Sequence, residues 1–277
     1  MDSYRKRKIL DGFMRLLVWL ALMAAAIPLF SMLGEIFSKG VPNINLQVLS
    51  SPMPSVGEPG GGIGNAIQGT LITIGLASMM GVPLGVLSGI FLSEYGELKL
   101  SSAIRSFNDV LSGFPSIVIG IFSYTILVTS IGFSVIAAAF ALAIIMIPTV
   151  TRTTEEALKM VPLTLREAAL ALGIPKWKTL FFIVFRGAKR GIITGILLAL
   201  ARIAGESAPV LITMGYWRWW FSGFNRPVAN LALSVYLFAI SPFENWRNLA
   251  WASALVLVTV ILAINLGLRI FTKEKYI

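Results

Sequence analysis

Residues Thr164–Phe185 read TLREAALALGIPKWKTLFFIVF, and the organisation of the chain can be worked outward from them. Thr164-x-x-Glu167 has the spacing of a capping box, in which the hydroxyl accepts the N–H three residues on and the carboxylate reaches back. Ala168 to Leu172 are strong helix formers. Gly173 supplies a left-handed stop, and Pro175 suits the first position of a second helix. The spacing therefore predicts a helical turn, a sharp bend, and a basic, aromatic helix through Trp177 and Phe185. The alanines leave a slim face that can enter a groove on a partner. Lys176, Trp177 and Lys178 would equally serve a helix lying on a bilayer surface. Spacing alone leaves both open.

The stretch lies within Thr151–Arg190, the one long charged loop between apolar segments. Of 277 residues, 56% are hydrophobic and 13% charged; a soluble domain carries about 25% charged residues. A spanning helix needs about 20 apolar residues. Six segments qualify: Leu16–Phe37, Ala66–Leu92, Gly113–Ile131, Phe133–Val150, Gly191–Met214 and Leu249–Leu268. An all-α, polytopic membrane protein with six transmembrane helices is expected. Its parts are a basic N-terminus (1–15), the first span (16–37), a Pro/Gly-rich external loop (38–65), a main body (66–270) containing the loop 151–190, and a C-terminal tail (271–277). A cleavable signal would have an apolar stretch of about 7–15 residues, shorter than the first span, so that helix is read as retained.

Lys and Arg set the orientation. Eighteen lie in 1–15, 93–112, 151–190 and 269–277, against four in 38–65 and 215–248. The positive-inside rule puts both termini in the cytoplasm. The same asymmetry accounts for the net charge of +10 without nucleic acid as a partner; membrane lipid is the expected surrounding. The remaining basic residue, Arg202, falls inside a span.

Several activities are excluded by residue type. The chain has no Cys and no His, which removes disulfides, thiolate and imidazole catalysis and most zinc or haem ligation. A membrane-embedded hydrolase with HExxH or a His-assisted serine is therefore ruled out. Gly60–Gly61–Gly62 lacks the Gly-Lys-Ser/Thr of a nucleotide loop. No cofactor or metal is expected in this chain, and any ATP and Mg would be bound by another subunit.

Within the membrane, Arg202 lies 12 residues beyond Arg190, about 18 Å along a helix, near the middle of a core about 30 Å thick. Glu206 follows one turn later on the same face. Charges at that depth cost at least about 2.5–3.5 kcal/mol each and should face a partner or a watery path. They form either a pair fastening helices together or a site for a passing anion. Arg152 ends the fourth span, as a topology anchor or as an aid to anion exit. Gly81, Gly85 and Gly89 share one face of the second span, and Gly187, Gly191 and Gly195 share one face of the fifth; both suit close helix packing. Pro83 should kink the second span. Tyr216, Trp217, Trp219, Trp220 and Phe221 suggest an interfacial belt.

Glu167-Ala168-Ala169, with Leu170 and Gly173 after them and Ile183 ten residues beyond Gly173, resembles the EAA motif of ABC importer permeases. Phe185-Arg186 stands where that family usually ends the motif with Leu-Pro. Gly64–Gly96 (GNAIQGTLITIGLASMMGVPLGVLSGIFLSEYG) and Asp109–Gly120 (DVLSGFPSIVIG) are similar to phosphate importer permeases. Ala199–Gly215 (ALARIAGESAPVLITMG) is similar to the PstA branch; the PstC branch tends to have Thr-Met after Gly-Glu, where Ser207-Ala208-Pro209 stands here. The resemblance implies a type I importer permease of a bacterial or archaeal cytoplasmic membrane whose loop is the coupling helix of the complex. It also implies four further things: a PstC-like second permease, an ATPase homodimer, a phosphate-binding protein, and the Arg202–Glu206 pair on the phosphate path, to which Arg152 is added by its position alone. Sulfate, molybdate or phosphonate makes similar electrostatic demands and is the alternative cargo.

Overall fold

The computed structural model describes residues 2–58 and 60–271; the tail 272–277, with Lys273 and Lys275 of the charge tally, lies outside the described residues. Among the described residues every regular element is helical. Helix α1 runs Asp2–Gly40, α2 Gly64–Glu94, α3 Lys99–Gly113, α4 Ser116–Ile131, α5 Val135–Lys159, α6 Leu163–Ala171, α7 Lys176–Ala204, α8 Ala208–Met214, α9 Leu231–Ala239 and α10 Glu244–Phe271. Four of these are long and apolar enough to cross a membrane singly, and counting each of the bent pairs α3–α4 and α7–α8 as one span gives six among the described residues.

Both pairs depart from the straight spans expected from hydropathy. The stretch 93–112, read as a loop, is mostly α3, and α3 meets α4 at 104°. Pro115 forces this corner. It biases the residue before it away from helical geometry, and Phe114 is extended at φ −70°, ψ 135°. The fifth span begins at Lys176 rather than Gly191, then breaks after Ala204 with a 64° bend into α8. Pro209, at the first turn of α8, has no N–H to continue the earlier helix. Pro83, by contrast, is contained in α2, which runs through it without interruption.

The axis of the body is α5, two-thirds buried over its apolar window. Its alanines at 137–139, 141 and 143 are almost fully covered, and α2 and α7 pack on it. The glycines explain how closely. A Cβ on Gly85 would stand 2.7 Å from Val150 Cβ, and one on Gly89 2.6 Å from Thr154 Cβ. From the other side, a Cβ on Gly191 would stand 2.6 Å from Ala157 Cβ, and one on Gly195 would collide with Thr153. Gly81 is looser, with Ala143 O at 3.3 Å. Two glycine faces thus close on one helix. Carbon atoms pack at about 3.5–4.0 Å, so no larger residue fits the close positions without parting the axes.

Helix α1 stands apart, with none of its apolar window buried, and packs near its C-terminal end against α10. There Gly40 meets Leu255, and Lys39 Nζ sits 4.7 Å above the Trp251 ring. The segment 215–248 is not a plain external loop. It contains α9, whose nine residues span about 14 Å, too short to cross a membrane alone. Asn230 caps α9 by accepting from the N–H groups of Ala232 and Leu233, and the Leu231 N–H donates to Thr70 Oγ1 at 2.8 Å. The aromatic stretch before it folds over the start of α2, where Asn65 Nδ2 donates to Arg218 O at 2.6 Å and Gln68 Oε1 accepts the Phe221 N–H. Trp219 and Trp220 remain exposed, whereas Phe221 packs against the core.

Candidate docking loop and intramembrane ion pair

The loop between α5 and α7 carries α6. Its start differs from the expected capping box. Pro162 occupies the cap position and Thr164 lies inside the helix, with no side-chain cap bond. Proline at the cap leaves φ suited to the turn but provides no side-chain oxygen to accept an amide. The end of α6 follows expectation. Gly173 has φ +77°, its N–H donates to Leu170 O at 2.9 Å, and the Ile174 N–H donates to Ala169 O at 3.1 Å. This is a complete Schellman closure. Pro175 caps the next helix one position before the expected place.

Glu167, Ala168 and Gly173 are exposed, but Ala169 is 4% exposed on a helix packed against the 179–184 segment of α7. The slim face expected from both alanines is therefore divided: Ala169 belongs to the internal contact. What projects instead is apolar. Leu172 is 82% exposed at the bend, with Met160, Leu163 and Leu170 around it. Sequence reading named Leu170 and passed over Leu172, although a leucine next to a left-handed glycine is an available signal. The 179–184 segment is a π-helical turn, a local widening often found at functional sites.

Arg202 occupies the last turn of α7, and Glu206 lies in the break before α8 rather than one turn higher on the same helix. Their closest approach, Arg202 Nε to Glu206 Oε1, is 3.9 Å, longer than a hydrogen bond. Among the described residues no other acceptor holds the Arg202 side chain. A guanidinium with unused donors can take two oxygens of a tetrahedral anion. Behind it, α8 is held against α4: a Cβ on Gly120 would stand 2.8 Å from Pro209 Cα. Arg152 is remote from this pair. It is largely exposed in the C-terminal part of α5, 3.4 Å from Glu156 and 3.8 Å from Asp109, and lines a cleft of about 240 Å³.

Two further ion pairs were not singled out in the sequence, because their partners are far apart along the chain. Arg166 on α6 pairs with Glu94 at the end of α2 and donates to Leu158 O at 3.1 Å. Arg105 on α3 reaches Glu155 on α5 at 2.8 Å and donates to Gly96 O at 3.1 Å.

A bundle of six spans, a broken helix with an arginine at the break, and an exposed helix–bend–helix on one side define the membrane-spanning subunit of a solute transport system. Residues 81–274 match the family described as binding-protein-dependent transport system inner membrane component. The chain belongs to that family, within its PstA group. It is 43% identical over its whole length to the phosphate transport system permease protein PstA of Yersinia pestis, covering 96% of that protein. It is 42% identical to the protein of the same name from Pasteurella multocida, over 97% of this chain and 96% of the relative. Among solved structures, the chain resembles a subunit of the MetNI methionine ABC transporter in an inward-facing conformation. The TM-score is 0.60 at 18% identity, over 76% of this chain and 94% of that one.

Proposed function

We propose that the chain is the permease subunit of an ATP-driven importer of inorganic phosphate, and that it forms the translocation path together with a second, PstC-like permease. The observation that carries this reading is Arg202: a guanidinium with open donors at the break of a spanning helix. Discontinuous helices are where transporters expose polar groups at mid-membrane. Phosphate fits the guanidinium geometrically. Glu206, loosely held in the break, moderates the attraction so that the ion is released. Arg152 serves the cytoplasmic end of the same path. The names of the relatives, which cover almost the whole chain, favour phosphate over sulfate, molybdate or phosphonate.

In this reading α6 and its bend are the coupling element. Leu170, Leu172 and the exposed Glu167 and Ala168 seat in a cleft of an ATPase homodimer, which binds ATP and Mg. ATP-driven closure moves α6, and the spans alternate between outward and inward access. A phosphate-binding protein delivers the ion at the opposite face, where the loop 215–230 lies. Both termini are cytoplasmic, in line with the distribution of Lys and Arg. The test is ATP turnover by the reconstituted four-component complex. Phosphate with its binding protein should stimulate turnover, whereas sulfate and phosphonate should not. Equal stimulation by all three anions would refute the assignment of cargo.

A further inference from the structure

Helix α6 is joined by the chain to α5 on one side and to α7 on the other. It packs on residues 179–184 of α7 rather than along α2, and Ala169 is its one buried residue. Yet α2 is tied to it. Arg166 and Glu94, 72 positions apart, form a direct ion pair whose side chains are only 18% and 7% exposed. The other arm of the Arg166 guanidinium holds Leu158 O, a carbonyl at the open end of α5. Arg105 makes a parallel grip from α3. It takes Leu92 O and Gly96 O at the end of α2, and Glu155 on α5 at 2.8 Å. Lys159 completes that site, with its Nζ 2.6 Å from Glu155 Oε1.

The cytoplasmic ends of α2 and α5 are thus clamped together by two arginines, and only one of them, Arg166, sits on α6. We infer that the Arg166–Glu94 pair is the mechanical link through which a displacement of α6 is passed to α2, and with it to the α2–α5 unit. Arg166 and Glu94 are positioning residues for coupling. They contact neither the ion nor nucleotide. The physical reason is that this pair is the direct hold of α6 on α2. A nine-residue helix with one buried side chain has little apolar grip, and α2 has no chain connection to it. A pair this buried holds its geometry, because separating the partners strands a charge without solvent. The glycine contacts of α2 on α5 then carry the movement along the bundle without slippage, since closely packed faces have little room to slide. The inference rests on the importer reading above.

The test uses the complete complex in proteoliposomes and measures phosphate imported per ATP hydrolysed. Glu94→Gln and Arg166→Gln should each assemble with the ATPase and hydrolyse ATP, with the import ratio lowered about fivefold. The double variant should be no worse than either single one, because the two residues act as one contact. Arg166→Lys, which keeps the charge but cannot hold Glu94 and Leu158 O together, should fall between. Unchanged ratios in the assembled variants overturn the inference. Should a neutral variant fail to assemble, the Glu94→Cys/Arg166→Cys chain replaces it; this chain has no native cysteine to interfere. Bridging the two thiols with a short bifunctional reagent should restore the ratio that the unbridged complex lacks, and equal ratios before and after bridging count against the link. A separate failure, in which the unmodified complex shows no phosphate-dependent turnover, would sink the importer reading instead.

Discussion

Replacing Gly85 by alanine probes the packing on which the whole body depends. The added methyl would lie 2.7 Å from Val150 Cβ and 2.8 Å from its Cγ1, with Ile147 O at 3.3 Å. Carbon pairs settle at about 3.5–4.0 Å, so α2 and α5 must separate by about 1 Å; a new Val150 rotamer would move Cγ1 but not Cβ. Overpacking of this kind costs about 1–3 kcal/mol. Against that stands the helical preference of alanine over glycine, about 1 kcal/mol in water. The net expectation is a loss of about 0–2 kcal/mol. Gly75 on the same helix is the internal control, since a Cβ there meets nothing within 4 Å; Gly75→Ala should be neutral or slightly stabilising. At about 2–4 °C per kcal/mol for a chain of this size, the two variants should differ by roughly 5 °C in thermal unfolding in detergent. The pairing also predicts partial rescue of Gly85→Ala by Val150→Ala, which removes the clashing Cγ1 and leaves only the Cβ contact. Equal midpoints for the Gly85 and Gly75 variants, or no rescue, would refute the close-contact account of this face.

Arg202→Ala should abolish phosphate uptake while the complex still assembles, as read by transport and co-purification; normal uptake would remove Arg202 from the path. Leu172→Ser, at the most projecting point of the bend, should weaken capture of the ATPase about tenfold in a pull-down, with the permease fold unchanged. Thr70→Val leaves the Leu231 N–H without its acceptor, at a cost of about 1–3 kcal/mol, and should lower the unfolding midpoint and loosen α9, measured as faster amide exchange at 231–233. In the loop before α2, hydrogen bonds from Ser55, with a weaker pull from Arg218, hold the Glu58 carboxyl below the ordinary carboxylate range. A depressed value stabilises the folded loop above the unfolded pKa, and that contribution is lost as pH falls through the folded one. Fluorescence of the neighbouring tryptophans should therefore change on acidification below the usual carboxylate range, and Glu58→Gln should remove the change.

The apolar segments and the bend at Gly173 were legible because each depends on local order. Twenty apolar residues in a row cannot sit stably in water, and Leu172-Gly173-Ile174-Pro175 cannot continue a helix. The glycine spacings on α2 and α7 were equally visible, but not their common target, because which helix a face meets is a matter of three-dimensional arrangement. Hydropathy also misread the two bent spans, since a window average is blind to a proline that turns the chain within an apolar run. It passed over α9, whose nine residues are held by Thr70 and Asn230 rather than by length.

The sequence by itself determined a polytopic, all-helical membrane protein with a helix–bend–helix in its most basic loop and one arginine inside an apolar stretch. Those features follow from transfer free energy, backbone geometry and residue count along a single stretch of chain. Only the tertiary structure decided that both glycine faces close on α5, that Glu206 leaves its helix, and that Arg166 reaches Glu94. These are contacts between residues remote in sequence, and their energies depend on burial and distance, which no local pattern encodes.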